Sequence, residues 1–249
     1  MSADGALGDP VTESIADLSR EALTHAMPDR PARTYPALLS TEADALAWAR
    51  SGAPDGALVV ADYQASPRGR GGWPWEVRQG TGLGFSLVMR PYLPEQREGW
   101  PYIVVTSGIA DALGEDAAIG WPDQVFLGDT HMASVGLHVE AADERISWVV
   151  ASVLVTQADP PRAPLLARIV EAIEARAGAP AAPVLADYTP RCRTIGRSVR
   201  AQLIPMRPGG PGVEGTAVRA LADGALAIQP QKGRRTAVPP HSLGVLETL

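Results

Sequence analysis

The sequence predicts an α+β fold with a largely antiparallel sheet, because strand-length apolar segments are joined by connections of hairpin length rather than by crossover helices. Three such strands are expected at 124–128, 134–140 and 146–156. A further group of five short strand-like segments between 187 and 249 predicts a small SH3-like barrel after the main sheet.

The remaining elements follow from apolar periodicity and from residues that start or stop helices. Ser40 or Thr41 is expected to cap one helix, and Gly114 to close another. The helices are predicted at 14–27, 41–50, 101–114 and 163–177, with a short one that ends at Cys192, and two more strands at 57–62 and 83–89.

Three parts of the chain are expected. Residues 1–33 form an N-terminal extension, in which Pro31 is one of several helix breakers. Residues 34–182 form the main domain, and 187–249 form the small C-terminal domain. The Ala- and Pro-rich stretch 177–184 predicts a linker between these two domains.

Composition argues against several function classes. The formal net charge of −6 argues against nucleic-acid binding by the whole surface, and no helix-turn-helix pattern indicates DNA recognition. No apolar run reaches the roughly 18 residues of a membrane span, and the acidic N-terminus is unlike a signal peptide. We therefore expect a cytoplasmic protein with no DNA or membrane partner. One cysteine and four histidines predict neither an internal disulfide nor a zinc site.

The segment 61–80 has the strongest indications of a binding site. Arg68 and Arg70 alternate with glycines, which let backbone N–H groups approach an anion, while guanidinium groups bind carboxylate or phosphate with two hydrogen bonds. Trp73 and Trp75 offer flat faces to a ring. The pattern predicts a site for a small anionic ligand, and the alternative is a surface loop with two packed tryptophans.

A wider set of motifs resembles the catalytic domain of biotin protein ligases. The spacing AxYQxxxRGRxGxxW is similar to the family's GRGRxGRxW loop, with a serine-threonine pair upstream and Trp-Pro-Asp downstream. The matching residues are Tyr63, Gln64, Arg68, Gly69, Arg70, Gly72, Trp75, Gly80, Ser86, Trp121, Pro122, Gly136 and Glu140. Segments 187–203 and 214–229 resemble the family's C-terminal SH3-like module, so the resemblance covers 34–249.

This resemblance implies a biotin- or lipoate-ligase-like domain over 34–182 with a ligand pocket. It implies that Ser40, Thr41 and Gln64 face the ureido ring of biotin. The complete set of expected ligand-binding residues is Ser40, Thr41, Gln64, Arg68, Gly69, Arg70, Gly72, Trp75 and Gly136.

The resemblance also implies contacts for a nucleotide. Arg70 would reach the carboxylate and the α-phosphate, Arg68 would lie in the same ordered loop, and Trp75 would lie near adenine. Biotin and ATP with Mg²⁺ are the implied small molecules, and no metal-ligating residue is expected. The implied partners are a small carboxylic acid or its adenylate and a biotinylated or lipoylated carrier protein.

The sequence departs from the family pattern where that pattern carries positive charge. Joining a carboxylate to the α-phosphate of ATP brings two anions together, so fixed cations are needed where charge develops. The family's two lysines align with Gly120 and Ala133, and Lys232 is the only lysine in the chain. His131 is a weak substitute, because a pKa of about 6.5 leaves it largely neutral at pH 7. The other departures are Leu39, Pro67, Trp73, Asp123, Gln124 and Val155.

Two functions therefore stay open, together with a scaffold role. In the first, the protein binds biotin, lipoate or another small acid, or its adenylate, without standard ligase turnover and with no catalytic residue. In the second, it is an active ligase with altered site chemistry that activates the acid with ATP and transfers it to a carrier lysine. In the scaffold role, Trp73 and Trp100 fill the pocket and no small ligand binds.

Overall fold

The computed structural model of the protein describes residues 16–76, 78–207 and 210–249. They form a seven-stranded sheet and a five-stranded sheet. All pairs of neighbouring strands in the two sheets are antiparallel except one, and helices cover both faces of the larger sheet. This confirms the predicted α+β class, and the second sheet is consistent with an SH3-like C-terminal domain.

The helices of the described residues are α1 (Arg20–Ala26), α2 (Thr41–Arg50), α3 (Trp100–Leu113), α4 (Arg162–Gly178) and α5 (Ala181–Arg191). The strands of the larger sheet are β1 (Ala32–Leu38), β2 (Leu58–Gln64), β3 (Leu83–Met89), β4 (Ala117–Gly120), β5 (Gln124–Leu127), β6 (Thr130–Ala142) and β7 (Arg145–Val155). Their order in space is β1-β2-β3-β7-β6-β5-β4.

The strands of the smaller sheet are β8 (Ser198–Leu203), β9 (Gly212–Ala220), β10 (Leu226–Gln229), β11 (Thr236–Val238) and β12 (Leu243–Thr248). Their order in space is β11-β10-β9-β8-β12. No helix within the described ranges is long and apolar enough to cross a membrane.

The sequence did not predict the edge strand β1. This strand pairs in parallel with β2 and is only partly buried, so its residues lack the apolar character of a central strand. Pro36 is tolerated because an edge strand needs backbone partners on one side only. The predicted helix at 14–27 is present over Arg20–Ala26, and its first two residues lie outside the described part of the chain, as does the start of the N-terminal extension.

The predicted linker at 177–184 is wrong, because α4 continues to Gly178 and α5 begins at Ala181. Pro183 stands in the first turn of α5, where a missing N–H costs no intrahelical hydrogen bond. Val184 and Tyr188, four residues apart, are both buried on one side of the helix. The division of the chain between 182 and 187 stays a prediction, and these residues lie within one helix.

Two further strands, β4 and β6, differ from expectation. The four-residue strand β4 was too short to be recognised from its sequence. β6 is longer than the predicted 134–140 and includes His131. The predicted strands at 124–128 and 146–156 correspond to β5 and β7.

The two faces of the larger sheet have different covers. Helices α3 and α4 pack on one face and form the main hydrophobic core, which includes Val135 and Val153. Helix α2 packs on the other face against a smaller cluster that includes Val59. Register places Ser86, Ser152 and Gly136 in one row with Val59 across β2, β3, β7 and β6, so all four lie on the α2 face.

A buried ion cluster, which we call the Arg162 cluster, joins three distant parts of the chain. Arg162 begins α4 and is fully buried. Its guanidinium donates to Asp17 Oδ1 at 2.7 Å and lies 2.7 Å from Asp62 Oδ1 in β2. It also donates to the carbonyl oxygen of Gly82 at 2.9 Å, and Asp62 accepts a 3.3 Å hydrogen bond from the Gly80 amide. The cluster thus fixes both ends of the β2–β3 loop.

The Arg162 cluster gives the fold a defined pH response. Burial alone raises the pKa of the Asp17 carboxyl, but the hydrogen bonds and charge of Arg162 outweigh it and hold the pKa below its ordinary value. Because the folded-state pKa is the lower one, Asp17 contributes stability above the unfolded-state pKa. That contribution is lost as pH falls through the folded-state pKa.

Replacing Arg162 tests how much the fold depends on this cluster. Arg162→Met keeps an unbranched side chain but leaves the Asp62 carboxylate buried without the guanidinium. We expect the free energy of unfolding, measured with urea, to fall by about 3–5 kcal/mol. Arg200→Met is the matched control, since Arg200 forms an exposed ion pair with Glu214, and it should cost less than about 1 kcal/mol. Equal losses in the two variants would contradict the prediction.

Candidate functional site

A chain of buried hydrogen bonds crosses the sheet beneath the N-terminus of α2. The Thr41 amide and its Oγ1 both donate to Gln64 Oε1, at 2.8 Å and 3.0 Å. Ser86 Oγ donates to Thr41 Oγ1 at 2.9 Å, and Ser86 and Ser152 are joined at 2.9 Å. Each hydroxyl has one hydrogen, and that of Ser86 goes to Thr41, so Ser152 is the donor to Ser86. The chain therefore runs in one direction and ends on Gln64.

The end of this chain fixes the amide of Gln64. Because Oε1 accepts both hydrogen bonds from Thr41, the NH₂ group takes the opposite side. This NH₂ group lies over Gly84, and a Cβ atom added to Gly84 would be 2.3 Å from Gln64 Nε2. Ser40 is buried and is the N-cap of α2, accepting a hydrogen bond from the Glu42 amide at 3.2 Å. Ser40, Thr41 and Gln64 are thus brought together, and that they face a ligand stays a prediction.

The β2–β3 loop lies directly on the sheet at one point. A Cβ atom on Gly136 would meet the Cα and carbonyl carbon of Gly69 at 3.1 Å, so the two backbones are close because both residues lack a side chain. The indole of Trp75 covers Gly69, where a Cβ would lie 2.2 Å from Nε1. Gly72 ends the 3₁₀ turn Arg70–Gly72, is exposed and has a φ of 76°. Gly69 is therefore packed between the backbone of Gly136 and the indole of Trp75, and Gly72 does not take part in this packing.

The two arginines of the loop have different surroundings. Arg68 is exposed and donates within the loop to the Gly72 carbonyl at 3.1 Å. Arg70 is mostly buried and donates through Nε to Asp123 Oδ2 at 3.0 Å. Its Nη1 donates to the carbonyl of Leu243 at 2.5 Å, in the smaller sheet. Arg70 thus connects the loop, the β4–β5 turn and the C-terminal strand.

In the sequence, Asp123 ends the Trp-Pro-Asp motif and is also one of the departures from the family pattern. Burial raises the pKa of its carboxyl above the ordinary value, against the opposing charge and hydrogen bond of Arg70. The Trp121 indole beside it donates to the carbonyl of Gly224, in the β9–β10 turn, at 2.9 Å. These contacts fix the β4–β5 turn against the C-terminal module.

A cleft of about 530 Å³ opens between the two sheets next to this contact, and we call it the interface cleft. Its lining includes four aromatic and three cationic residues, which are Trp73, Trp75, Trp121, Phe126, Arg70, Arg193 and Arg197. Trp73 is half exposed. Trp100 is buried at the start of α3 and lines a different cleft, so the structure contradicts the arrangement in which Trp73 and Trp100 together fill the pocket.

The positions aligned with the family's lysines lie in two different environments. Gly120 lines the interface cleft. Ala133 is fully buried in the main core, on the face of β6 opposite Gly136. Ser134 is on the site face and is hydrogen-bonded to His131 Nε2 at 3.0 Å. Burial lowers the pKa of the His131 imidazole, so this side chain is neutral at pH 7.

A metal site does not form from the described residues alone. Within residues 16–76, 78–207 and 210–249, no group of three or more His, Cys, Asp and Glu side chains could hold a metal ion. Asp123, the acidic residue in the cleft lining, is paired with Arg70. We therefore assign no residue of this chain to Mg²⁺.

The sequence is similar to those of two known ligases. The chain is 31% identical over 225 residues to the biotin–[acetyl-CoA-carboxylase] ligase of Mycobacterium tuberculosis, which covers 80% of this chain and 82% of that protein. It is 31% identical over 120 residues to the bifunctional ligase/repressor BirA of Bacillus subtilis, covering 47% of this chain and 37% of that protein. The chain thus spans little more than a third of this second relative. No family model matches the sequence.

The fold agrees with this relationship. The biotin protein ligase of Aquifex aeolicus, solved in complex with biotin and ATP, superposes with a TM-score of 0.66 over 88% of this chain and 99% of that chain, at 17% identity. At this identity the likeness establishes the fold. Together with the M. tuberculosis relative, it shows that the chain belongs to the biotin protein ligase family.

Arg70 should control how firmly the loop is held. Arg70→Ala removes the hydrogen bonds to Asp123 and Leu243, so we expect local opening of the loop to increase about tenfold. Trypsin cleavage after Arg78 in the native protein measures this opening. Arg68→Ala is the matched control, because Arg68 bonds only within the loop among the contacts described, and its rate of cleavage at Arg78 should stay near the wild-type rate. A rate that is unchanged in Arg70→Ala would show that Arg70 does not tether the loop.

Proposed function

We propose that this protein binds a small biotin-like carboxylic acid and does not carry out standard ligase turnover. The observation that carries the proposal is the directed chain from Ser152 through Ser86 and Thr41 to Gln64. It presents an oriented amide NH₂ group on the same face of the sheet as the β2–β3 loop. A cyclic urea or amide carbonyl is a suitable acceptor for that donor.

The loop and the sheet support a ligand of limited size. Gly136 and Gly69 are in backbone contact, and Trp75 covers Gly69, so the loop is an organised cover rather than an open surface. The ligand's polar end would lie at Gln64 and Thr41, and its carboxylate would point toward the interface cleft. Biotin, lipoate and octanoate test this arrangement, because they share a terminal carboxylate and differ at the other end.

The absence of turnover is proposed from the charge of the site. A lysine is missing at Gly120 and at Ala133, and the Arg70 guanidinium is already engaged with Asp123 and two backbone carbonyls. Removing one fixed charge from a site of developing negative charge costs about 10²–10³ in rate. In this role the protein would be a sensor or carrier of the acid, or of its adenylate, or a partner of a biotinylated or lipoylated protein.

One observation favours a second function, that of an active ligase for biotin or a lipoate-like acid. The interface cleft contains Arg193 and Arg197, which sequence comparison at the lysine positions does not reveal. In that reaction the acid's carboxylate oxygen bonds to the α-phosphorus of ATP and pyrophosphate leaves. A carrier lysine amine then attacks the acyl carbon, loses a proton and releases AMP.

Gln64 provides the test of acid binding. Gln64→Met removes the amide but keeps the length of the side chain, so the polar end of the ligand loses its hydrogen bond. We expect calorimetric titration to show saturable wild-type binding of one of biotin, lipoate and octanoate, and at least about tenfold weaker binding by the variant.

Gln202→Met, in strand β8 of the smaller sheet, is the matched control and should bind as the wild type does. Flat wild-type titrations for all three acids would refute acid binding. Acid-dependent exchange of pyrophosphate into ATP separates the two functions: a background rate supports binding alone, and exchange above background supports the ligase.

A further inference from the structure

The position where the family pattern has a lysine, Gly120, is filled by an aromatic ring in this protein. A Cβ atom on Gly120 would lie 2.9 Å from Phe126 Cε2 and 3.4 Å from the Cβ of Gln124. Phe126 is in β5, which pairs with β4 through Ala118 and Phe126. A long side chain at 120 would therefore collide with this ring, and the missing lysine is part of a different local packing.

The segment after α5 runs alongside β4 at the same place. Ile119 and Cys192 form a parallel bridge, and the Arg193 amide donates to the Ile119 carbonyl at 2.9 Å. The Trp121 amide donates to Thr194 Oγ1 at 3.0 Å. These bonds on both sides of Gly120 hold the backbone of Arg193 next to it, although the two residues are far apart in the sequence.

The side chain of Arg193 rests on the ring that fills the lysine position. Its Cζ lies 4.0 Å from the centroid of Phe126, and the side chain is exposed in the interface cleft. Among the described residues, no carboxylate forms a salt bridge with Arg193 or with Arg197, which lines the same cleft. The ring thus positions a guanidinium whose charge faces the cleft.

The chemistry of this arrangement fits a phosphate group. A guanidinium presents several N–H donors in a fixed plane that matches phosphate oxygens, and stacking on a ring orients that plane. Trp73 and Trp75 line the same cleft and offer flat faces to a purine. Asp123 does not cancel the charge of Arg193, because it is paired with Arg70.

We propose that Arg193, positioned by Phe126, supplies at the interface cleft the phosphate-directed positive charge that Gly120 lacks. The ligand is the phosphate of a nucleotide or of an acyl adenylate. Where the ligand is an acyl adenylate, the proposal rests on the proposed function, because the adenylate would then extend from the acid site into this cleft. Arg197 adds charge to the same cleft.

The test is calorimetric titration with ATP and, separately, with inorganic pyrophosphate. Arg193→Ala should weaken binding of both about tenfold or more, and Arg193→Lys should recover part of it because the charge returns without the planar fork. Phe126→Leu, which removes the ring under the guanidinium, should weaken binding less than Arg193→Ala.

Arg145→Ala is the matched control. Arg145 also stacks on a ring, 3.5 Å from the centroid of Tyr92, but it begins β7 at the end of the strand away from the cleft. It should bind ATP as the wild type does. Absence of wild-type binding to both probes, or equal binding by the wild type and Arg193→Ala, would overturn the proposal.

Titration of the same variants with the three acids separates this inference from the proposed function. If an acid binds and ATP binding does not depend on Arg193, the acid site stands and the inference fails. If no acid binds and ATP binding falls in Arg193→Ala, the inference stands and the proposed acid binding fails.

Discussion

The architecture of the site depends on the buried charge of Arg162. An arginine with no solvent exposure needs its full set of partners, since an uncompensated buried charge costs several kcal/mol. Its partners Asp17, Asp62 and the Gly82 carbonyl come from the N-terminal segment and from both ends of the β2–β3 loop. The Arg162 cluster thus fixes the two ends of the β2–β3 loop next to each other. The middle of the loop is held by other contacts.

Those other contacts divide the site into two chemically different halves. Over the sheet, neutral hydroxyl and amide groups form a chain with a defined direction, which suits an uncharged polar ligand end. Between the sheets, guanidinium groups and aromatic rings line an open cleft, which suits an anion or a ring. Arg70 lies between the two halves. Its hydrogen bonds to Asp123 and to the Leu243 carbonyl connect the β2–β3 loop to the β4–β5 turn and to the C-terminal module.

Local sequence predicted the parts of this fold that are determined locally. Helix α3 is mostly apolar and ends before Gly114, and β7 is a long, mostly apolar strand, so both were recognised. Strand β1 was missed because it lies at the sheet edge, and helix α5 was recognised only near its end at Cys192, because burial of Val184 and Tyr188 rather than propensity stabilises its first turns. The resemblance indicated Thr41 and Gln64. It did not indicate Ser152, which joins them only through strand register.

The interface cleft has no lysine at Gly120, but it has the guanidinium of Arg193 beside that position. The attraction between a phosphate and a cation depends on the distance between them in space. A cation on β4 and a cation on the segment paired with β4 can therefore attract the same phosphate. Gly120 and Arg193 are adjacent because of a bridge between Ile119 and Cys192. That pairing joins segments separated by some seventy positions, and the Trp121–Thr194 hydrogen bond beside it spans 73. A comparison of single motifs shows that the lysine is missing at Gly120. In the folded chain, the ring of Phe126 occupies the place of a side chain at Gly120, and the guanidinium of Arg193 stacks on that ring. The change from lysine to arginine is also a change in what can be bound, because a planar fork held on Phe126 selects the orientation of a phosphate as well as its charge.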